Sequence, residues 1–162
     1  MMEMPKHLSP ELKEAIYVVH QTGLTDEARV RATYDSQGLP SEVHAFIHGM
    51  AEAYRAADLV LCRAGALTIS ELSMSTRGSI LVPYPYAIYN HPELNAKALV
   101  DAGAGEMILE KDLTPEGLAE TFERLNRDRK SLQKMAWQAG TLARPEAATE
   151  VVDEMYRLLG RP

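Results

Sequence analysis

The amino-acid sequence predicts an α/β fold, a doubly wound parallel sheet in a single domain covering residues 1–162, and three observations predict it. Short apolar runs alternate with longer helical stretches along the chain. Those runs are apolar at consecutive positions, as strands are when helices cover both faces of a parallel sheet. A length of 162 residues suits one domain with a substantial core.

The candidate strands are Ile16–His20, Glu42–Phe46, Leu59–Cys62, Ser79–Pro83 and Glu106–Leu109. Helical stretches fall between them at Thr25–Ser36, Gly49–Ala56, Leu67–Ser75 and Pro92–Ala102, and Gly103 suits a C-terminal cap on the last. Pro115–Asn126, Ser131–Ala139 and Glu146–Leu159 close the chain as helices. Thr114 precedes Pro115 as a capping hydroxyl, and Arg144-Pro145 separates the final pair. The amino end departs from this regularity. A doubly wound nucleotide domain usually opens with a strand and a glycine-rich turn, whereas here a single short helix precedes the first strand. The first strand–turn unit is therefore expected to be lacking, and residues 1–10 to be poorly ordered. A sheet edge exposed in that way favours self-association, which makes a homodimer one expectation.

Composition excludes several function classes. A lone cysteine forms neither a disulfide framework nor a cysteine zinc site and fits a reducing cytoplasm. No apolar run approaches the roughly 20 residues of a membrane span, and no signal-peptide pattern is present. The net charge of −6 argues against a broad nucleic-acid surface. Any phosphate must then be held locally, by backbone amides and a few side chains. Histidine metal spacing, a Walker loop and a Ser-His-Asp set are all missing, so no metal or cofactor is assigned.

Ligands of an open α/β sheet bind beyond the carboxyl ends of its strands, and three such ends carry informative residues. After Leu59–Cys62, Arg63-Ala64-Gly65-Ala66-Leu67-Thr68 leads straight into a helix. Gly65 permits a tight turn, and the amides of Ala66, Leu67 and Thr68 face outward where the helix dipole favours an anion. Arg63 adds positive charge beside them. A plain strand-to-helix turn with a surface arginine has about even weight on local pattern alone. Glu71, one turn on and beside Ser70, can accept from two neighbouring hydroxyls such as those of a ribose; a solvated helix glutamate is the bland alternative. After Glu42–Phe46, the residues Phe46, Ile47 and Met50 offer an apolar slot for a flat base, although core packing explains Phe46 equally well. After Ser79–Pro83, a polar and aromatic loop carries Tyr84, Tyr86, Tyr89 and His91, groups able to wall a sugar and donate to it. His20-Gln21-Thr22-Gly23 places further polar groups at this edge.

Taken in order, His20-Gln21-Thr22-Gly23, Phe46-Ile47 with Met50, Arg63-Ala64-Gly65-Ala66-Leu67-Thr68 with Ser70-Glu71-Leu72, Pro83-Tyr84-Pro85 with Asn90-His91 and Asn95-Ala96, and Ala102-Gly103-Ala104 resemble one family. The chain looks like the carboxyl-terminal domain of the MurG family, peptidoglycan glycosyltransferases that add N-acetylglucosamine to lipid I to make lipid II. The resemblance runs from about Ile16 to Leu159. It implies a Rossmann-like domain, the C-terminal half of a GT-B glycosyltransferase. It further implies that the chain binds UDP-N-acetylglucosamine, with Ile47 reading the uracil through its backbone and Phe46 and Met50 shaping the slot. Ala66, Leu67 and Thr68 would meet the diphosphate, Glu71 the ribose hydroxyls, and His91 and Pro92 the sugar.

The family's amino-terminal domain, which carries the acceptor loops and the proposed catalytic histidine, has no counterpart among these segments. The resemblance therefore makes the chain a fragment, a truncated gene product or one subunit of a two-chain enzyme. Its lipid-linked acceptor would be reached through that domain or a partner chain, at the inner face of the membrane. A non-catalytic UDP-sugar-binding remnant is the alternative, and a flavodoxin-like regulator fits the fold alone. Where the family has glutamine this sequence has Pro92, which lacks a side-chain donor, so Glu93 is the substitute candidate. Thr76 and Gly78 stand where the family has glycine and proline, an exchange expected to shift the turn after the phosphate helix.

Overall fold

A computed structural model describes residues 2–86 and 91–160. Five short strands are present: β1 (Val18–Gln21), β2 (Ser41–His44), β3 (Leu59–Cys62), β4 (Gly78–Leu81) and β5 (Gly105–Met107). Eight helices accompany them: α1 (Pro10–Ala15), α2 (Glu27–Ser36), α3 (Met50–Ala56), α4 (Ala66–Ser75), α5 (His91–Asp101), α6 (Pro115–Arg127), α7 (Arg129–Thr141) and α8 (Ala147–Leu158). Every pairing is parallel, as the alternation of elements requires. The sheet, however, is in two pieces, β1-β2 and β3-β4-β5. Among the described residues no strand pairs with the second edge of β1 or of β3, and none precedes α1. Both pieces feed one core: Val18 and Val43 pack in the same cluster as Leu59, Leu61 and Ile80. A second cluster lies under the three-stranded piece, where Leu81 meets Leu72 of α4, Ala96 and Leu99 of α5, and Ala139 of α7, with Val60, Cys62 and Met107 beside them.

The helix ends follow local chemistry. Thr114 caps α6 by accepting from the Gly117 amide at 3.0 Å, and Asp128 caps α7 through Ser131. Gly103 closes α5 with φ +74°, a left-handed conformation that costs glycine little. Thr76 is the exception. It holds φ 56° at the end of α4, and the following Arg77 amide bonds back to Leu72 at 3.1 Å. The helix thus closes as it would with glycine, at the steric cost of a β-branched residue in the left-handed region.

The described start of the chain packs against the rest of the fold. Met4–His7 form a turn of 3-10 helix, and Met4, Leu8 and Leu12 are buried against the core and α6. Leu8 and Ser9 are extended between the 3-10 turn and α1, so these apolar residues reach the core from two short turns. Glu123 of α6 accepts from the Ser9 amide at 2.9 Å and fixes the entry to α1.

Candidate functional site

The carboxyl ends of the strands carry the residues singled out above. Gln21 and His44 are register partners at the ends of β1 and β2; Cys62 and Leu81 are partners at the ends of β3 and β4. The parallel arrangement therefore brings the loops after them to a common edge within each sheet.

The turn after β3 forms the start of α4. Gly65 is its N-cap, with φ −72° and ψ 150°, and no side chain caps the helix. The first helical hydrogen bond runs from the Ile69 amide to the Gly65 carbonyl at 3.0 Å. The amides of Ala66, Leu67 and Thr68 precede it and have no acceptor within the helix. Gly65, Ala66 and Leu67 are exposed, so an anion can approach the end of the dipole. Glu71 lies five residues beyond Ala66, roughly 7 Å along the axis at 1.5 Å per residue.

Two residues of this segment are engaged elsewhere. Arg63 pairs with Glu110, donates to the carbonyls of Val82 and Pro83 at 3.3 and 3.5 Å, and lies 5.9 Å from the Tyr84 ring centre. In this arrangement it ties the ends of β3 and β4 to the 3-10 turn Glu110–Asp112, and its charge is shared with a carboxylate. The Ser70 hydroxyl donates back to the Ala66 carbonyl at 3.2 Å, a bond within α4.

The loop after β2 presents Phe46, 60% exposed, with its ring edge-on to His48 at 5.0 Å. The Ile47 amide donates to the Gln21 side chain at 2.8 Å, which leaves the Ile47 carbonyl as the acceptor that can face a ligand. Met50 opens α3. His91 and Pro92 form the first turn of α5, His91 exposed and Pro92 half-buried. Tyr84 and Tyr86 stand edge-to-face at 5.7 Å. Tyr89 and Asn90 lie outside the described residues. A cleft of about 380 Å³ between α2 and the β2 loop is lined by Leu24, Arg31, Val43, Phe46 and His48; Phe46 is the only sequence-derived site residue in it.

Three side-chain contacts brace these loops, and Tyr54 is the one contributing side chain that sequence reasoning did not mark. Gln21 holds the Ile47 amide. The Tyr54 hydroxyl, on α3, donates to Glu71 Oε2 at 3.0 Å and ties the helix after β2 to the helix after β3. The Asn95 amide, on the second turn of α5, donates to the Ala64 carbonyl at 3.1 Å and fixes the turn below the α4 start. Tyr54 was missed because it belongs to no chemical motif, and Asn95 was marked only within the family resemblance, without a role. Asn95 sits four residues after His91, so helical spacing was the available signal. Burial pushes the Tyr54 phenol above its ordinary range, helped by the bond to Glu71, and pushes the Cys62 thiol up to about 12. Both groups therefore stay protonated beside Glu71 at neutral pH.

The sequence profile of the glycosyltransferase family 28 C-terminal domain matches residues 3–151. The chain belongs to glycosyltransferase family 28. Its relatives in this family include the Myxococcus xanthus protein named UDP-N-acetylglucosamine--N-acetylmuramyl-(pentapeptide) pyrophosphoryl-undecaprenol N-acetylglucosamine transferase. That protein is 48% identical over 149 residues, which are 92% of this chain and 39% of the relative. The identically named protein of an Anaeromyxobacter species is 44% identical over 99% of this chain and 42% of its own length. Among solved structures, MurG of Acinetobacter baumannii superposes with a TM-score of 0.83 and 36% identity, covering 96% of this chain and 46% of that one. The family 28 chain described here thus spans about two-fifths of the length of these curated relatives. Its fold is Rossmann-like, that of the C-terminal half of a GT-B glycosyltransferase.

Proposed function

We propose that this chain is the donor-binding portion of an inverting N-acetylglucosaminyltransferase that converts lipid I to lipid II in peptidoglycan synthesis. The observation that carries the proposal is the uncapped, exposed start of α4 with a braced carboxylate one turn beyond it. That pair suits a nucleoside diphosphate: amides and helix dipole for the diphosphate, Glu71 for the ribose hydroxyls. The names of the 43–48% identical relatives support UDP-N-acetylglucosamine as the donor and a pyrophosphoryl-undecaprenol acceptor.

In this reading Ala66, Leu67 and Thr68 bind the diphosphate from above the Gly65 turn. The Ile47 carbonyl accepts from the uracil, with Phe46 and Met50 flanking it. His91 and Pro92 face the sugar, with Glu93 as the polar group beside them. An acceptor hydroxyl attacks the sugar C1 as UDP leaves, and the α4 dipole stabilises the charge gathering on the departing diphosphate. Arg63, paired with Glu110, lies beside this cradle, and Ser70 precedes Glu71 on the same helix. The general base and acceptor site belong to a region outside these residues, so the chain alone binds donor and transfers nothing. In this reading it works in the cytoplasm at the inner membrane face, where the pyrophosphoryl-undecaprenol acceptor of the relatives' name would be met. Self-association through the unpaired edges of β1 and β3 is an accompanying expectation, read by analytical ultracentrifugation.

Titration calorimetry of the purified chain with UDP-N-acetylglucosamine, UDP-glucose and UDP tests this reading. UDP should bind, Glu71→Ala should abolish binding, and the N-acetylated donor should bind more tightly than UDP-glucose. A folded chain that binds none of the three overturns it.

A further inference from the structure

Glu71 is exposed at the surface of α4, and an exposed glutamate ordinarily samples many rotamers, each of which a ligand must pay to select. Here one oxygen is already held. The Tyr54 ring packs against the buried cluster of Ala64, Leu72 and Leu81, with Cys62 and Ile69 beside it. Its hydroxyl emerges at Glu71 Oε2, 3.0 Å away. The ring cannot follow the carboxylate outward, because it is anchored in the layer that supports the α4 start.

We propose that Tyr54 is a positioning residue that fixes the Glu71 carboxylate and so sets the preference of this site for a ribonucleoside diphosphate over its 2′-deoxy counterpart. With Oε2 occupied by the phenol, Oε1 is the oxygen turned to the ligand, and it accepts from the ribose hydroxyls without further ordering. This rests on the reading of Glu71 as the ribose-binding group. The phenol is a dependable donor because burial and the neighbouring carboxylate both keep it protonated.

The test is titration calorimetry of the 162-residue chain with UDP and with 2′-deoxy-UDP, for the parent, Tyr54→Phe and Glu71→Ala. Tyr54→Phe keeps the ring and removes only the hydroxyl. The parent should favour UDP by about tenfold or more, the worth of a hydrogen bond to a charged group. Tyr54→Phe should cut that preference to roughly threefold or less with an unchanged melting temperature, chiefly by weakening UDP. If Tyr54→Phe weakens both ligands equally and the preference stands, Tyr54 is a packing residue and the proposal is overturned. If the parent shows no preference and Glu71→Ala binds UDP as the parent does, the ribose role of Glu71 falls and the proposal falls with it. The two failures are distinguishable, since the first appears only in Tyr54→Phe and the second already in the parent.

Discussion

The two pieces of the sheet are both built from short parallel strands and end in different states. All four residues of β4, flanked by β3 and β5, are buried. β1 has one paired edge, and its residues alternate between half-buried and exposed, with Val19 47% exposed. Both segments are four residues long and carry two large apolar residues each, Val18 and Val19 in β1, Ile80 and Leu81 in β4. The difference teaches that burial here is conferred by neighbours on both sides, since an unpaired edge leaves side chains and backbone groups to water. It also divides the candidate site. The proposed diphosphate cradle sits on the three-stranded half, after its edge strand β3, and the proposed base slot on the two-stranded half.

The sharpest way to break the comparison is to truncate one residue on each side. Ile80→Ala on β4 should cost about 2–5 kcal/mol in urea denaturation, while Val19→Ala on β1 should cost less than about 1 kcal/mol. Equal losses would mean that the open edge is no weaker. Next in size is Gly105→Ala. A Cβ there would lie 2.8 Å from the Ser79 carbonyl and hydroxyl oxygens, so β5 must shift from β4, and a loss of roughly 2 kcal/mol is expected by the same measurement.

High pH should strain both halves. Burial raises the Tyr34 phenol, under β1 and β2, and the Cys62 thiol, on β3, each to about 12. The folded state holds these protons more tightly than the unfolded chain. Their stabilising contribution is therefore complete below the ordinary thiol and phenol values and is lost as pH rises towards 12. Urea midpoints between pH 8 and 11 should fall, and Tyr34→Phe should flatten the upper part of that decline. A flat profile in the parent would contradict the burial of both groups. The smallest effect expected is a gain. Thr76→Gly relieves a β-branched left-handed residue and should add about 1 kcal/mol, read as a higher melting temperature. Thr76 also fills the space over Gly140, at 3.1 Å from the position a Cβ would take there, and lost packing sets the limit of that gain.

Much of the fold was legible because it is local. The β3 residues Leu59–Cys62 agree in sequence and structure, since an apolar run bounded by Asp58 and Arg63 has little freedom in its ends. The other strands shift by one or two residues at both ends, where pairing rather than composition sets the boundary. The α4 start was legible for a similar reason: a strand, a glycine and a helix in succession leave outward amides whatever lies around them. Glu71 follows from helical spacing alone.

The contacts that join these parts were not legible. Tyr54 and Glu71 are 17 residues apart, Gln21 and Ile47 are 26, Asn95 and Ala64 are 31, and Arg63 and Glu110 are 47. Nothing in a local pattern selects one such pair from the many tyrosines, amides and carboxylates available. Arg63 shows the consequence. Its place beside the cradle is a sequence property, but its partner is decided by where Glu110 arrives after β5. By itself the sequence determined the alternation of elements, the helix caps and the chemistry at each strand end, because these depend on neighbours a few bonds away. The tertiary structure alone decided which carboxylate is braced, which cation is shared and which strands are left with an open edge, because those depend on chain segments brought together by packing.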